Sequence, residues 1–190
     1  VDWKYWDPQP WGSHYFNPTY WPNPSAMNST LHSTYNAHCM VSVWGMFHSG
    51  SANYDQLKAA GCMVGVNYNP VDSACAQLYW RQVEEQIMDK GFDALWLDAT
   101  EPEQDWNIPE YGNIYSLMST KCVYENQRRK NPHRRVYTLT RSVYAGQQRY
   151  GAASWSGDIA RDFATLRRQI PAGLNISHSG QPYWTTDIGG

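Results

Sequence analysis

The chain has 190 residues, enough for one domain with a hydrophobic core, and its 15 basic and 17 acidic residues leave a net charge of −2. This balance argues against nucleic-acid binding and electrostatic membrane binding, which both need clustered basic residues. Aromatic residues are frequent, with 10 Trp and 14 Tyr against 4 Phe. Trp and Tyr suit half-hydrated surfaces such as sugar-binding clefts, although they also line the rims of cores.

The pattern along the chain predicts strands that alternate with helices. Val1–Trp6 alternates apolar and polar residues and predicts a first strand, and a long loop rich in Pro and Asn follows it to Pro24. Ser25 is the expected N-cap of the first helix. Further strands are predicted at 39–44, 94–98, 135–140, 152–156 and 183–186, and helices at 25–35, 54–60, 73–90, 114–130 and 163–173.

Most of these six predicted strands end in an ionisable residue. The strands end near Asp2, Trp44, Asp98, Arg141, Asp158 and Asp187. This arrangement predicts an α/β fold that is most of a (β/α)8 barrel rather than a doubly wound sheet. No glycine-rich phosphate loop follows a strand, so we expect no dinucleotide cofactor, and indeed no cofactor at all.

Asp98 is the first candidate for chemistry, because the apolar run 94–97 ends abruptly in this carboxylate. The alternative is that Asp98 only caps the next helix. Cleavage of a glycosidic bond needs two carboxyl groups from different strands, and Asp158 is the expected partner. Nearby donors would keep Asp98 ionised, and the Trp155-Ser-Gly setting would desolvate Asp158 and raise its pKa.

Several separated motifs resemble glycoside hydrolase family 31. They are Trp-Leu-Asp-Ala-Thr-Glu-Pro (96–102), the segment 139–159 with its Trp-Ser-Gly-Asp-Ile, and Pro-Tyr-Trp-Thr-Thr-Asp-Ile-Gly-Gly (182–190). The opening Val-Asp-Trp-Lys-Tyr-Trp and the Leu-Asp-Ala-Thr-Glu-Pro form look most like bacterial α-xylosidases. α-Glucosidases of the family more often show Asp-Met-Asn-Glu-Pro at the equivalent place.

The resemblance implies a retaining, exo-acting α-glycosidase on a (β/α)8 barrel, with an oligosaccharide substrate. By this resemblance Asp98 is the nucleophile and Asp158 the general acid/base. The residues that would bind the terminal sugar are Asp2, Trp96, Arg141, Trp155 and Asp187. Glu101 and Glu103 are expected only to order their loop.

Residues 1–190 would be part of a catalytic domain, spanning the second to the seventh strand. The first and eighth strands and a substrate-binding His would lie outside the chain, so we expect the isolated piece to be poorly soluble or inactive. The chain departs from the family at Trp44-Gly45, where Trp-Pro is common, and at Pro22-Asn23-Pro24, where Pro-Asp-Pro is common.

Four readings of the activity stay open at this point. The leading one is an α-xylosidase that removes α-xylosyl residues from the non-reducing ends of xyloglucan-type oligosaccharides. An aromatic ring that closes the 6-hydroxymethyl pocket would favour xylose, and Trp3, Trp6 and Trp11 are candidates. The others are an α-glucosidase, an α-glucan glucosyltransferase and, less favoured, a non-catalytic sugar-binding barrel.

The remaining expectations concern cysteines, cations, assembly and location. The four cysteines contain no C-x-x-C pair, so a zinc site is not expected, and the cysteines are either free or paired. The basic cluster 128–135 is expected to be a solvated helix end rather than an anion site. A homo-oligomer is possible through the full-length protein, and a periplasmic or secreted bacterial location is favoured.

Overall fold

A computed structural model describes residues 1–101 and 111–190. Its main sheet has five parallel strands in the order β1-β4-β5-β6-β7, and a two-stranded antiparallel hairpin, β2-β3, stands apart from it. The strands are β1 (Met40–Trp44), β2 (Met63–Val64), β3 (Asn67–Tyr68), β4 (Ala94–Asp98), β5 (Thr138–Thr140), β6 (Ala152–Trp155) and β7 (Trp184–Thr185).

Helices connect the strands of the main sheet. They are α1 (Pro24–Tyr35), α2 (Ala52–Ala59), α3 (Ser73–Gln86), α4 (Tyr115–Lys130) and α5 (Phe163–His178), with 3₁₀ turns at Met88–Lys90, Gly112–Ile114 and Gln147–Tyr150. Parallel strands joined by helical crossovers form an incomplete (β/α)8 barrel, which confirms the predicted fold class. None of these helices is long and apolar enough to cross a membrane, as far as the described ranges go.

The first predicted strand is wrong except at its first residue. The N-terminal amine of Val1 donates to the Met40 carbonyl at 2.6 Å, and Ser42 N donates to the Val1 carbonyl at 2.9 Å. Val1 therefore adds one parallel rung beside β1. Lys4 then has a φ of 62°, and Asp7 N donates to its carbonyl, so residues 3–7 turn instead of extending. The alternating pattern here comes from aromatic packing against the core.

Helix boundaries also differ from the prediction: α2 spans Ala52–Ala59 rather than 54–60, and α3 ends at Gln86 rather than at 90. Two further differences have a clear physical cause. The N-cap of α1 is Asn23 rather than Ser25, because the Asn23 side chain accepts from Ala26 N at 2.9 Å and Pro24 takes the first helical position. Helix α5 continues past Gly173 to His178. A Cβ at Gly173 would lie 2.6 Å from the Trp184 ring, so this glycine allows helix and strand to pack closely and does not end the helix.

The hydrophobic core lies between the sheet and the helices and is strongly aromatic. Its largest fully buried side chains include Trp6, Tyr68, Tyr79, Tyr115 and Phe92. The Tyr68 and Tyr79 rings stack at 4.0 Å, and the Tyr79 hydroxyl donates to the Trp44 carbonyl at 3.2 Å. These buried Trp and Tyr residues contribute core area and a hydrogen-bonding edge together, so half-hydrated surfaces account for only part of the aromatic content.

The cysteines divide into one disulfide and two free thiols. Cys62 and Cys75 are bonded and tie the segment after α2 to the start of α3, whereas Cys39 and Cys122 are free. Closing a loop of this length stabilises a fold by about 3 kcal/mol in the chain-entropy model. The disulfide lies in the helical layer.

Helix α5 presents an apolar stripe to solvent. The side chains of Phe163, Leu166, Ile170 and Leu174 recur at helical spacing, and between 41% and 88% of each is exposed. An apolar stripe of this kind normally packs against a neighbouring element of a barrel. The stripe is consistent with the expected poor solubility of the isolated piece, which stays a prediction.

Candidate active site

The candidate site lies at the carboxyl ends of β4, β5 and β6. Trp96 and Asp98 alternate with buried Leu95 and Leu97 along β4, so the two point to the same face of the sheet. The Trp96 ring meets the Trp155 ring of β6 edge-on, with centroids 5.7 Å apart. Since β5 lies between β4 and β6, this contact crosses the barrel interior, where alternate strands contribute to one layer.

Arg141 brings the two candidate catalytic carboxylates together. Its Nη1 lies 3.3 Å from Asp98 Oδ1 and 3.3 Å from Asp158 Oδ2. The two oxygens are therefore no further apart than twice that distance. Backbone bonding places Arg141 at this point, because its N–H donates to the Leu97 carbonyl at 3.3 Å.

Glycine is required at position 157 for this approach. Gly157 has a φ of 77°, and a Cβ there would lie 3.4 Å from the Arg141 Cδ. A side chain at 157 would strain the backbone because of this positive φ, while its Cβ would be in ordinary contact with the aliphatic stem of Arg141. The Trp-Ser-Gly-Asp motif thus combines a ring from β6 with a turn that presents Asp158.

Glu101 is a member of this cluster that the sequence did not assign to the site. Arg141 Nε donates to Glu101 Oε1 at 2.5 Å, and Arg141 Nη2 also pairs with that oxygen. Glu101 therefore fixes the plane of the guanidinium, beyond the loop-ordering role expected from sequence. Its position next to the Asp98 turn was the only signal for this role. Glu103, given the same expected role, lies outside the described residues.

A chain of hydroxyl groups braces the turn after Asp98. Thr100 Oγ1 lies 2.7 Å from Thr140 Oγ1, and Ser142 Oγ donates to Thr100 Oγ1 at 2.9 Å. Ala99 has a φ of 47°, unusual for a residue with a Cβ, and its N–H donates to Asp98 Oδ1 at 2.8 Å. Backbone strain of this kind collects at functional sites. The Asp98 carboxylate thus accepts a hydrogen bond from the turn that directly follows it. Its presence at the strand end can therefore be explained without a role as the cap of the next helix.

The two candidate carboxylates have different environments, and these differ from the expectation. Burial raises the pKa of Asp98, and the attraction of Arg141 and the Ala99 N–H offset this only in part. The Asp158 side chain, in contrast, is 87% exposed. The desolvation expected for Asp158 is therefore absent, because the chain turns outward after Gly157 and leaves the carboxylate on an open cleft of about 450 Å³.

The other predicted sugar-binding residues differ in their exposure and in their contacts with the site. Burial, followed by the charge of Asp158, raises the pKa of Asp187, so these two carboxyl groups sense each other across the end of β7. Asp2 is exposed, and its Oδ1 accepts from Trp3 N at 2.7 Å. Trp96 Nε1 is buried and has no hydrogen-bond partner among the described residues.

The two departures from the family pattern have structural explanations. A Cβ at Gly45 would lie 2.5 Å from the Tyr115 hydroxyl, so glycine here makes room for a tyrosine from α4. Tyr115 Oη donates to the Gly45 carbonyl at 3.5 Å. Asn23 acts as the N-cap of α1. Neither change touches Asp98, Arg141 or Asp158.

One other cluster contains groups that could ligate a metal, as far as the described ranges go. His32, His38 and Asp93 bring their ligating atoms within 4.8 Å of one another at the opposite end of β4. Arg134 pairs with the same Asp93 carboxylate. This cation supplies the charge balance that a metal ion would otherwise provide.

The basic cluster after α4 is largely occupied by such internal pairs. Lys130 binds Glu84 at 2.8 Å and Asp89 at 2.5 Å, and Arg128 Nη1 donates to the Arg134 carbonyl at 2.8 Å. These contacts favour the helix-end reading over an anion site.

Comparison with known proteins identifies the family of the chain. Residues 1–190 match the model of the glycosyl hydrolases family 31 TIM-barrel domain. An α-xylosidase from Saccharolobus solfataricus is 42% identical over 100% of this chain and 28% of its own length. The crystal structure of an α-xylosidase of the same family from Xanthomonas citri superposes with a TM-score of 0.91 at 37% identity, covering 100% of this chain and 24% of that one.

A second solved structure is an α-xylosidase from a soil metagenome, complexed with xylose. It has a TM-score of 0.89 and 31% identity, again over 100% of this chain and 31% of that one. The chain thus spans about a quarter to a third of the length of these relatives. With the family model matching throughout and the strand-end geometry in agreement, the chain belongs to glycoside hydrolase family 31.

Proposed function

We propose that the protein containing this chain is a retaining, exo-acting α-glycoside hydrolase, specifically an α-xylosidase. The observation that supports this most strongly is the position of Arg141 Nη1, 3.3 Å from the carboxylates of both Asp98 and Asp158. The family's double-displacement reaction needs two carboxyl groups on one anomeric centre. An oligosaccharide is the substrate, and residues 1–190 are part of the catalytic domain.

In the first step, Asp98 attacks the anomeric carbon as the glycosidic bond breaks. Asp158 gives its proton to the departing oxygen, and a glycosyl ester forms on Asp98. In the second step Asp158 takes a proton from water, the water oxygen attacks the anomeric carbon, and Asp98 leaves as a carboxylate. Two displacements return the sugar to its original anomeric configuration.

In the free protein the environments of the two acids run opposite to this division of roles, because burial raises the pKa of Asp98 and Asp158 is exposed. The raised pKa of Asp98 means that the nucleophile ionises above its ordinary range, and Arg141 then supports the carboxylate. Asp158 is exposed, so the leaving-group sugar would cover it and remove the water that a general acid must lose. The desolvation missing from the free protein would thus come from the substrate.

The carboxylate geometry is compatible with retention, which the family resemblance implies. Retaining enzymes hold their carboxyl groups about 5–5.5 Å apart, and inverting enzymes about 6.5–9.5 Å apart. The shared Arg141 atom keeps the two nearest oxygens within twice 3.3 Å. That limit accommodates the separation of a retaining pair.

The sugar-binding roles follow from the surfaces around the pair. Trp96 and Trp155 form an aromatic wall, and Trp96 Nε1 could donate to a sugar hydroxyl. Arg141, Asp187 and Asp2 would bind hydroxyl groups of the terminal sugar. For Asp2 the support is its place at the carboxyl end of the single-residue rung formed by Val1.

Xylose is favoured over glucose by an aromatic candidate next to Asp2. Of the three tryptophans considered, Trp6 is 2% exposed and belongs to the core. Trp3 is 44% exposed and rests on Trp11 with ring centroids 5.0 Å apart. We assign to Trp3 the closing of the space that a 6-hydroxymethyl group would occupy. That the S. solfataricus and X. citri relatives are named α-xylosidases supports this choice.

The test compares hydrolysis of p-nitrophenyl α-D-xyloside and p-nitrophenyl α-D-glucoside by the full-length protein. We expect the xyloside to react faster than the glucoside. Trp3→Ala should lower the ratio of their kcat/KM values by about tenfold, which is the usual effect of one group of hydroxymethyl size on specificity. Tyr20→Ala, at a 74% exposed ring in the same loop, is the matched control. A faster glucoside would show that the xylosidase assignment is wrong.

An α-glucosidase is the second candidate. A 34% identical relative from Pseudescherichia vulneris is named an uncharacterized family 31 glucosidase. The same substrate comparison decides between the two, and product analysis at high acceptor concentration separates hydrolysis from glucosyl transfer. Labelling of Asp98 by a fluorinated glycosyl donor would contradict a non-catalytic sugar-binding barrel.

A further inference from the structure

The two residues that flank Arg141 share one hydrogen-bond partner. Thr140 precedes Arg141 and Ser142 follows it. The hydroxyl groups of both contact Thr100 Oγ1, at 2.7 and 2.9 Å. Thr100 is the second residue after Asp98. These three hydroxyl groups, which we call the hydroxyl network, therefore connect the turn after β4 directly to the end of β5.

Burial gives this network a geometric role more than a stabilising one. Thr100 is 2% exposed and Thr140 is fully buried. Replacing the partners of a buried hydrogen bond by apolar groups of the same shape is often nearly neutral for stability, so Val side chains would serve the packing as well. Hydrogen bonds add a direction that Val cannot supply, since a fully paired buried network specifies one arrangement of the segments it joins.

The turn that Thr100 anchors is strained. Ala99, between Asp98 and Thr100, has a φ of 47°, a region that disfavours residues with a Cβ. Such a conformation persists only where the surrounding contacts hold it. The Ala99 N–H donates to Asp98 Oδ1 at 2.8 Å. The position of the Asp98 carboxylate therefore depends on a backbone conformation that the Thr100 hydroxyl helps to hold.

Gln147 anchors the other side of the network. Its side chain is fully buried, its Nε2 donates to the Ser142 carbonyl at 2.9 Å, and its Oε1 accepts from Tyr144 N at 3.3 Å. The amide thus holds the backbone of the segment that follows Arg141. Ser142 lines the open cleft, whereas Gln147 and Thr100 are buried and act on a bound substrate only through their neighbours.

We propose that Thr100 is a positioning residue for the hydrolysis and that Gln147 supports it. The Thr100 hydroxyl holds the Asp98 turn against the segment that carries Arg141, and so keeps Arg141 Nη1 at 3.3 Å from the Asp98 carboxylate. This role rests on the proposed function, because it takes Asp98 as the nucleophile. A misplacement of about 1 Å can lower a rate by about 10²-fold, so one lost hydroxyl can slow the reaction without contacting the sugar.

The experiment measures hydrolysis of p-nitrophenyl α-D-xyloside or α-D-glucoside, whichever the unmodified full-length protein cleaves faster. Thr100→Val keeps the side-chain shape and removes the hydroxyl, so we expect kcat to fall by about tenfold with KM within about twofold. Thr100→Ser keeps the hydroxyl and should recover most of kcat. Thr120→Val is the matched control, because the buried Thr120 hydroxyl donates to the Ser116 carbonyl inside α4 at 2.8 Å. The control should leave kcat unchanged.

The pH profile is a readout that a merely structural role would not change. Thr100→Val keeps the charged groups that surround Asp98, which are Arg141, Glu101 and Asp158. Attraction by Arg141 and the hydrogen bond from the Ala99 N–H both lower the pKa of Asp98, and the variant weakens both. The acid limb of kcat/KM should therefore move to higher pH.

Gln147→Met should lower kcat in the same way, and it carries the test if circular dichroism shows that Thr100→Val does not fold. Equal losses of kcat in Thr100→Val and Thr100→Ser, an acid limb that stays in place, or an unchanged kcat in Thr100→Val and Gln147→Met would overturn the proposal. A full-length protein that cleaves neither glycoside would overturn the proposed function, and the positioning role with it. Cleavage that is unchanged in the variants would overturn the positioning role alone.

Discussion

Strand β4 has a carboxylate at each end, and the two are held in opposite ways. Asp93, before the strand, has a side chain only 7% exposed and accepts from Cys39 N at 2.8 Å and His32 Nε2 at 2.8 Å, while His38 and Arg134 pair with its other oxygen. Burial raises the pKa of Asp93, but these donors together outweigh it and the pKa is lowered. Asp93 is therefore a carboxylate whose two oxygens both have hydrogen-bond or ion-pair partners.

Asp98, five positions later, receives one backbone N–H and a guanidinium 3.3 Å away that it shares with other carboxylates. Its pKa is raised because burial exceeds these favourable contacts. At the amino end of β4, the Asp93 carboxylate thus has enough donors to offset its burial. At the carboxyl end, which is the candidate reactive end, the Asp98 carboxylate does not. In barrels the carboxyl-terminal face holds the chemistry and the amino-terminal face contributes stability, and this chain shows that division within one strand.

The strongest test substitutes the two aspartates in turn in the full-length protein. Asp98→Asn should lower kcat for an α-glycoside by at least ~10⁴-fold, because the amide cannot form the glycosyl ester. Asp93→Asn should leave kcat within about twofold once the folded fraction is counted. Steady-state kinetics, with circular dichroism to measure that fraction, provide the numbers. Similar losses in both variants would remove the functional distinction between the two ends.

The role of Asp158 can be separated from that of Asp98 by the leaving group. Asp158→Asn should slow cleavage of unactivated oligosaccharides by ~10²–10⁴-fold, the usual worth of general acid catalysis. A p-nitrophenyl leaving group needs little protonation, so glycosylation from that substrate should fall much less. Burst kinetics would reveal the slower second step.

Asp162→Asn provides the matched control for that experiment. Asp162 caps α5 by accepting from Thr165 N at 2.6 Å, close in sequence to Asp158. Asn caps a helix as well as Asp does, so this variant should keep the stability of the unmodified protein and show no leaving-group dependence. If Asp158→Asn slows both substrates equally, Asp158 is not the acid.

The sequence was sufficient for the fold class, because buried apolar runs and helical periodicity recur in a regular order. The runs at 40–44 and 94–98 were placed almost to the residue. The strand ends also located Asp98, Arg141 and Asp158 on one face, since carboxyl ends of parallel strands share an edge. The family resemblance, rather than these patterns, supplied the division of roles between the acids.

Features that depend on contacts between distant segments could not be read from the sequence. The exposure of Asp158 follows from the turn at Gly157, and the binding of Glu101 to Arg141 joins residues 40 positions apart. Trp6 and Trp3 look equivalent in the sequence, yet one is buried and the other exposed. The Val1–Trp6 pattern suggested a strand because core packing produced an alternation unrelated to sheet pairing.

Substitution of Asp93 and of Asp98 should change the free energy of unfolding in opposite directions. Asp93→Asn should lower the free energy of unfolding by about 2 kcal/mol, since hydrogen bonds to a charged group are lost. Asp98→Asn should raise it by about 1 kcal/mol at neutral pH, because removal of a poorly compensated buried charge relieves the native state. Differential scanning calorimetry of the two variants at pH 7 measures both changes. Two changes of the same sign would contradict the contrast.

The pH dependence follows from the directions of the two shifts. The pKa of Asp93 is lowered, so its stabilising contribution is present above the unfolded value of about 3.9 and disappears as pH falls through the lower folded value. The pKa of Asp98 is raised, so its destabilising contribution is present above the folded value and disappears as pH falls towards about 3.9. The advantage of Asp98→Asn should therefore vanish near pH 4, where the deficit of Asp93→Asn remains.

The smallest expected effect concerns Glu101. This residue is a further carboxylate at the Asp98 end of β4, and the Asp93 end has no counterpart to it among the described residues. Glu101 binds two nitrogens of Arg141 and leaves Nη1 to be shared by Asp98 and Asp158. Its charge also contributes to raising the pKa of Asp98. Glu101→Gln keeps an acceptor for the guanidinium but removes that charge. We expect kcat to fall by about tenfold, because a less constrained Arg141 positions the carboxylates less well.

The acid limb of kcat/KM should meanwhile move to lower pH, because Asp98 would lose a repulsive neighbour and gain a larger share of Arg141. Glu125→Gln, an exposed change on α4 outside the cluster, should alter neither quantity. A purely structural loop residue could lower kcat through misfolding, but it would not move the acid limb. A pH profile that stays in place while kcat falls would therefore return Glu101 to the loop-ordering role that the sequence suggested, and would leave Asp98 with burial as the main source of its raised pKa.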